Sequence, residues 1–472
     1  MSAAGKMDGT TLIEETPEAG TIDAAGESLA PYLAEFARLA PERAAEPTRI
    51  AEMRRRAIER FAAKGFPARD EEEWRFTSVA PILRASFRAG SYESAGLGME
   101  AIAASVFGGV AARLTFVDGR FAPTLSFVGD LPSGVFVGRL AEAIEAQREE
   151  VTEHLGAHCP GDGPGTHAFA ALNAALFQDG ACLLLPRGAR VEAPIHLVFV
   201  ASSGTMSFPR NLIVLGVDAQ ATVVETYVGI LGSDGAPSGE SLTVPVTEIA
   251  ALADANLKHV KVQREARDAF HFAAFELHQE RSSRVASHSI SLGGGLVRND
   301  LHAVLAGEGA DCVLNGLYLV EGRQRVDNHM KVEHAAPHCD SHELYKGVLD
   351  GKARAVFNGL IHVHQGAQKT DAKQSNRNLL LSAEAIANSN PQLEIYADDV
   401  KCTHGSTVGQ LDEDAIFYLR SRGIGFEAAR SLLTYAFASE LVERIPVEPV
   451  RHALEEFLFS RLPGGEVVRQ AV

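Results

Sequence analysis

Apolar residues recur at helical spacing only towards the two ends of the chain, while the long middle alternates in short runs. Ser28 to Leu39 and Thr48 to Lys64 set apolar side chains three and four apart among Glu and Arg. This predicts two amphipathic helices, the second stopped by Gly65-Phe66-Pro67. Helical spacing returns from about Leu140 to Leu155 and from His167 to Phe177, with a Gly/Pro-rich loop, Pro160 to Gly165, between them.

From Cys182 the period shortens. Alternating runs occur at Cys182–Leu185, Ile195–Val200, Leu212–Leu215, Ala221–Val228, Leu257–Gln263, Ser287–Leu292, Leu301–Leu305, Cys312–Val320, Arg325–Val332, Ala355–His364 and Leu393–Ala397. Gly, Asn and Asp turns such as Gly293-Gly294-Gly295, Glu308-Gly309 and Asp350-Gly351 separate them. Short strands at this spacing fit a sandwich, a barrel or a parallel β-helix. Two-residue Asn-Gly hairpin turns are scarce and long helices do not alternate with the strands, which disfavours a meander and a doubly wound sheet. The pattern alone leaves the β-helix and the sandwich open.

After Thr403 helical spacing resumes. Asp412 can cap a helix from Glu413 to Arg422, ended by Gly423. A second runs from Phe426 to Glu443 with Ala429, Leu432, Leu433, Ala436, Phe437 and Leu441 on one face. A third starts at Pro449 and runs to Leu462, and its leftover Phe457, Leu458 and Phe459 make a docking surface for a partner.

Composition narrows the function. The 472 residues carry a formal net charge of -17, which argues against electrostatic binding to nucleic acid or an anionic membrane. No apolar run approaches the roughly 20 residues of a membrane span. Residues 1–26 are small, polar and acidic, unlike a secretory signal, and read as a disordered tail. Five scattered cysteines without a CxxC pair fit a reducing compartment, and make a zinc ribbon or a cluster held by this chain alone improbable.

Candidate chemistry is sparse. Asp327-Asn328-His329, His334 and His338-Cys339-Asp340-Ser341-His342 form the densest group of ligand-type residues. His362 and His364, spaced i, i+2, share one face of a strand and suggest the HxH of a cupin metalloenzyme, but no Glu follows them closely. Imidazoles of this kind are ordinarily hydrogen-bonded along strand faces. Cys402 and His404 offer a thiol and an imidazole at the same spacing. No phosphate-binding loop, GxSxG elbow or HExxH pair occurs.

Longer motifs go further. These are Tyr345-Lys346-Gly347, Phe357-Asn358-Gly359, Ala367-Gln368-Lys369-Thr370-Asp371-Ala372-Lys373-Gln374, Asn376 to Leu381, Pro391-Gln392-Leu393-Glu394-Ile395, Asp398 to Gly405 and Phe417 to Ile424. In this order and spacing they resemble the SufB/SufD family of iron–sulfur cluster assembly scaffold proteins. Weaker matches at Glu73-Trp74-Arg75-Phe76-Thr77, Ala171 to Ala174 and Arg210 to Ile213 extend the resemblance over roughly residues 50 to 460. SufB-type chains carry a His-Glu pair where this one has His404-Gly405, so the likeness is to the SufD branch.

The resemblance implies a mainly β fold, a right-handed parallel β-helix flanked by helical domains. It divides the chain into a disordered tail (1–28), an N-terminal helical domain (29–110), the β-helix (111–402, with helical segments near 139–178) and a C-terminal helical domain (403–472). It further implies a cytoplasmic subunit without catalytic activity of its own, in a complex with SufB and the ABC-type ATPase SufC. SufB would pair through the β-helix, and a homodimer of the isolated chain is left open. SufC would dock on the C-terminal helices at Phe417, Tyr418, Arg420, Arg422, Leu432, Tyr435 and Phe437. No cofactor is expected to be held tightly by this chain alone; iron or a nascent cluster would be shared with SufB at His404, with Cys402 in the same motif. His362 and His364 remain further metal candidates.

Overall fold

The computed structural model describes residues 23–90, 97–163, 166–230, 239–463 and 465–471. Residues 1–22 of the expected tail and the last two of the Pro160–Gly165 loop lie outside them; residues 23–28 are already helical, in Asp23–Leu39.

The alternating runs resolve into a parallel β-solenoid of about eight turns, which decides against the sandwich. Each turn contributes one strand to each of two sheets. The first sheet includes Phe270–Gln279, Leu296–Leu305, Arg325–His334, Arg354–Val363 and Ile386–Ile395. The second includes Asn256–Arg264, Arg284–Ser291, Asp311–Val320, Asp340–Leu349, Asp371–Leu380 and Lys401–Gly409. Successive turns pair in parallel without a register shift, so Leu314, Glu343, Gln374 and His404 form one column.

One corner repeats. Asp218, Asp254, Ser282, Gly309, His338 and Lys369 each have φ between 55° and 73° and stand two residues before a strand of the second sheet. Each donates its backbone N–H to the corner of the following turn, at Ala253, Arg281, Glu308, Pro337, Gln368 and Asp399. The residue after each is small or medium-sized and buried: Ala219, Ala255, Ser283, Ala310, Cys339 and Thr370. A left-handed residue turns the chain, and the next side chain enters the lumen.

The lumen is apolar in the early turns, where Leu183, Ile195, Ile213 and Ile249 meet. Later it becomes polar. Glu225 lies 3.4 Å from His259 Nε2, and Lys261 Nζ donates to Asn299 at 2.9 Å. Further along, the Tyr318 hydroxyl donates to Asn378 at 2.6 Å and accepts from Asn376 at 3.1 Å. Buried polar groups are tolerated where they bond to one another, between neighbouring columns or across the lumen.

Helices cover both outer faces. Thr48–Lys64 and Ala168–Leu176 pack on the first sheet through Trp74, Phe169 and Phe272, the last two stacked at 3.8 Å. The helix expected from Leu140 to Leu155 is two, Leu140–Glu145 and Glu149–His154, because Gln147 between them is left-handed. At the other end Glu413–Ser421, Phe426–Val442, Glu448–Arg461 and Gly465–Ala471 follow, the last unforeseen. Asp412 caps the first by accepting from the N–H groups of Asp414 and Ala415.

Three expectations change here. Lys401–Gly409 is a strand of the second sheet, so residues 403–409 belong to the solenoid and not to the helical domain. Leu458 is buried, and Phe457 and Phe459 pack beside it, so that trio is not a docking surface. The buried face of Phe426–Val442 likewise runs through Ala429, Ser431, Thr434, Tyr435, Ala438, Leu441 and Val442, while Ala436 is exposed. The sheet beneath sets which face is covered: Val260, Ile290, Leu317 and Leu344 supply the apolar partner.

Close packing in the lumen is testable at Gly347, where a Cβ would collide with the Tyr318 ring and the Asn378 amide. Gly347→Ala is expected to cost about 1–3 kcal/mol as overpacking, seen as a lower guanidinium midpoint with a cooperative transition retained.

Candidate functional site

Pairing stops at the C-terminal end of the solenoid. Ile386–Ile395 ends the first sheet and Lys401–Gly409 the second, each bonded on one side only. Here the chain presents unpaired backbone N–H and C=O groups together with Cys402 and His404.

The i, i+2 spacing sends both side chains to the luminal face, but to different surroundings. Cys402 is half-buried against the cluster of Ile361, Val363, Ala367, Ala372 and Ala397. Burial pushes its thiol up, so it stays protonated at neutral pH and is a poor ligand while the end is uncovered. His404 lies over the end of the lumen and is exposed. Further along the same strand, Ser406 and Val408 help to line a cleft of about 510 Å³ with Phe76, Asp327 and Asn388; His404 is not part of its wall.

Beneath His404 lie two residues that sequence reasoning missed. Gln374 is next in its column, followed by Glu343. Both are buried, and Gln374 Nε2 donates to Glu343 Oε2 at 2.7 Å. Burial drives the Glu343 carboxyl up to about 7, against a smaller opposing effect of the Gln374 bond. Asp371–Leu380 reads as plain polar sequence, and only the register of the fold reveals that Gln374 faces inward.

The other candidate ligands are not drawn together. His334 is luminal and bonds to Ser341 Oγ at 2.8 Å, whereas His338 is a corner residue. His329 faces outward from the first sheet beside Arg298, and His342 is an outward residue of the second. Among the described residues no three His, Cys, Asp or Glu side chains converge as a metal site.

His362 and His364 also lie on the first sheet's outer side, their rings 4.7 Å apart, but each imidazole meets a glutamate. His362 pairs with Glu394 at 2.9 Å and His364 with Glu333 at 3.1 Å. Glu333 also meets His302 at 2.9 Å, and His302 meets Glu276 at 3.1 Å on its other nitrogen. The missed signal was the strand register, which sets Glu394 opposite His362. This is a chain of histidine–glutamate hydrogen bonds, not a cupin's three-ligand site.

At the helical end the expected docking residues divide into two groups. Phe417 is 72% and Tyr418 57% exposed, with Arg420 and Arg422 beside them, Arg422 bonding the Tyr418 hydroxyl at 2.9 Å. Phe426, 46% exposed, extends this face. Leu432, Tyr435 and Phe437 instead hold the bundle to the solenoid. Leu432 is partly buried in the interface core, and buried Tyr435 stacks on Phe459 at 5.0 Å. Lys346 lies over the Phe437 ring, donates to the Phe437 carbonyl at 2.9 Å and pairs with Glu440. Buried as it is, Tyr435 offers no contact surface.

The fold is a two-sheet parallel coil whose lumen ends under an exposed imidazole, with exposed Phe417 and Tyr418 on the helices beside it. Comparison with known proteins supplies its class. Residues 198–437 match the SUF system FeS cluster assembly SufBD core domain, and residues 36–197 the SufBD protein N-terminal region. The chain therefore belongs to the SufB/SufD family, which ties it to iron–sulfur cluster assembly. It is 33% identical to the iron–sulfur cluster assembly protein SufD of Escherichia coli, over 89% of this chain and 95% of that one. A SufBD family protein of Synechocystis is 34% identical over 88% and 92%. SufD of Bacillus subtilis is 29% identical over 61% and 65%. Among the described residues no helix is long and apolar enough to cross a membrane.

The raised Glu343 carboxyl gives a pH test. Unfolded, it ionises near 4.5, whereas in the fold it keeps its proton to about 7. The folded state thus binds the extra proton between those values, so stability falls as pH rises through the window. Glu343→Gln lacks this slope and should gain on wild type by on the order of 2 kcal/mol from pH 4.5 to 7 and above, measured as melting temperatures at acidic and mildly alkaline pH.

Proposed function

We propose that this protein is a non-catalytic, cytoplasmic scaffold subunit that pairs with a SufB-type sister chain and is driven by a SufC-type ATPase. The observation that carries this reading is the open last turn, where unpaired strand edges and an exposed His404 share one surface. Strand edges of this kind are satisfied by the edges of another chain. The sister chain would cover the end of the lumen and bring a thiolate against His404. Iron and sulfide, the cargo, would be held between them; a neutral imidazole suits ferrous iron and lets go more readily than a second thiolate.

The ATPase is assigned to the Phe417, Tyr418, Arg420, Arg422 and Phe426 face. Aromatic side chains with neighbouring arginines make strong interface anchors. The longer helix that carries Phe426 is held to the second sheet through Leu344, Tyr435 and Leu441, the path by which displacement of that face would reach the solenoid. With no partner over it His404 is exposed, so any sequestration of the imidazole is the sister chain's doing and ATPase motion would act by opening that seam.

Two measurements test the assignment. In the reconstituted complex, His404→Ala should lower the yield of assembled cluster several-fold while the subunits still co-purify; an unchanged yield removes His404 from the chemistry. Phe417→Asp should weaken ATPase binding by about 2 kcal/mol or more, roughly 30-fold, with no change in melting temperature, read by co-purification and titration calorimetry.

A further inference from the structure

The column below His404 contains an acceptor with no donor. Gln374 is 3% exposed, and its amide reaches across the lumen to Gly359, where a Cβ would occupy the same space. The amide nitrogen is directed at Glu343 in the turn below. The two heteroatoms of a carboxamide diverge by about 120°, so the carbonyl oxygen is turned away from Glu343. That Oε1 is buried and has no hydrogen-bond partner, a costly condition that it shares with a few other inward polar atoms, among them Glu343 Oε1 in the same column. The next residue in the column, one strand spacing of about 4.8 Å further on, is His404.

We propose that Gln374, backed by Glu343, is a positioning residue for His404, its Oε1 accepting a hydrogen bond from one ring nitrogen. This rests on the reading of His404 as the cargo ligand. A neutral imidazole has one N–H and one lone pair, and the partner of the first decides where the second points. With the N–H bound down into the lumen, the lone pair faces out of the open end, where the sister chain would dock. Where Glu343 is ionised and can only accept, it holds the amide nitrogen, so Gln374 cannot turn over and offer that nitrogen to His404 instead. Gly359 clears the path that lets the side chain cross. The result is the outer-sphere arrangement by which metal-binding imidazoles are held in one tautomer, with a carboxamide inserted between ring and carboxylate.

The test is the ring-nitrogen spectrum of the full-length chain alone, labelled with ¹⁵N-histidine, at about pH 9, well above the ordinary imidazole range. The His404 signals are identified by their loss in His404→Ala. The wild type should show one dominant tautomer. Gln374→Leu, and Gln374→Met as a second variant of similar length without the acceptor, should shift the tautomer ratio about fivefold towards a mixture. The double variant Glu343→Gln with Gln374→Glu, which rebuilds the chain of donors and acceptors with the charge moved one turn up, should restore it. A mixed tautomer in the wild type, or a ratio indifferent to Gln374→Met, overturns the proposal. The cluster-ligand role is decided separately: if His404→Ala leaves cluster yield intact while Gln374→Met scrambles the tautomer, positioning stands and that role falls. If His404→Ala lowers the yield while Gln374→Met leaves the tautomer unchanged, the ligand role stands and positioning falls.

Discussion

Each turn of a parallel coil finds its backbone hydrogen-bond partners only in the turns before and after it. Inside the solenoid this requirement is met strand by strand and again at the corners, where the left-handed residue of one turn donates to the corner of the next. The last turn cannot meet it. The strand edges at Ile386–Ile395 and Lys401–Gly409 are therefore a product of the architecture itself and not a surface added to it. The family motif containing Cys402 and His404 lies on one of these strands, so candidate chemistry and unsatisfied backbone coincide.

The same stacking explains the lumen. Residues at one position in successive turns form columns about 4.8 Å apart, and the buried polar side chains pair along a column, between adjacent columns or across the lumen. Glu343 and Gln374 are successive members of one column, whereas Tyr318 reaches Asn378 past Gly347, Glu225 meets His259 of the adjacent column and Lys261 crosses to Asn299 of the other sheet. Gln374 Oε1, next below His404 in its column, is left without a partner. Outside, a hydrogen-bonded ladder of Glu276, His302, Glu333 and His364 runs from turn to turn on the opposite face of a sheet. It holds neighbouring turns together without building a metal site.

Much of this was legible in the sequence. Thr48–Lys64 and the cap at Asp412 emerged as read, because helical periodicity and side-chain capping are local. Strands with an apolar inner face, such as Ile195–Ala201 and Asp311–Val320, were found with small boundary shifts. Asp340–Leu349, Asp371–Leu380 and Lys401–Gly409 escaped, because a polar lumen removes the alternation by which strands are recognised. The spacing of Cys402 and His404 offered them as soft ligands, resemblance to the family singled out His404 among the candidates, and nothing local identified Gln374 or Glu343, whose significance exists only in register. The bundle was misjudged for a related reason. Tyr435 and Leu458 appeared available as long as the sheet face covering them was unknown.

The regularity of the corners bears on how such a chain can change in length. From Gly309 to His338 to Lys369, equivalent positions recur after one circuit of the coil. Removing one residue from a strand would turn the rest of that strand's side chains to the wrong face. Excising one full circuit, corner to corner, would leave inward residues inward and simply shorten the rod. Variation in length along this solenoid is thus quantised: it proceeds by whole circuits, or by excursions at the bends that leave the strands untouched, and either route delivers His404 to the end of the rod facing the same way.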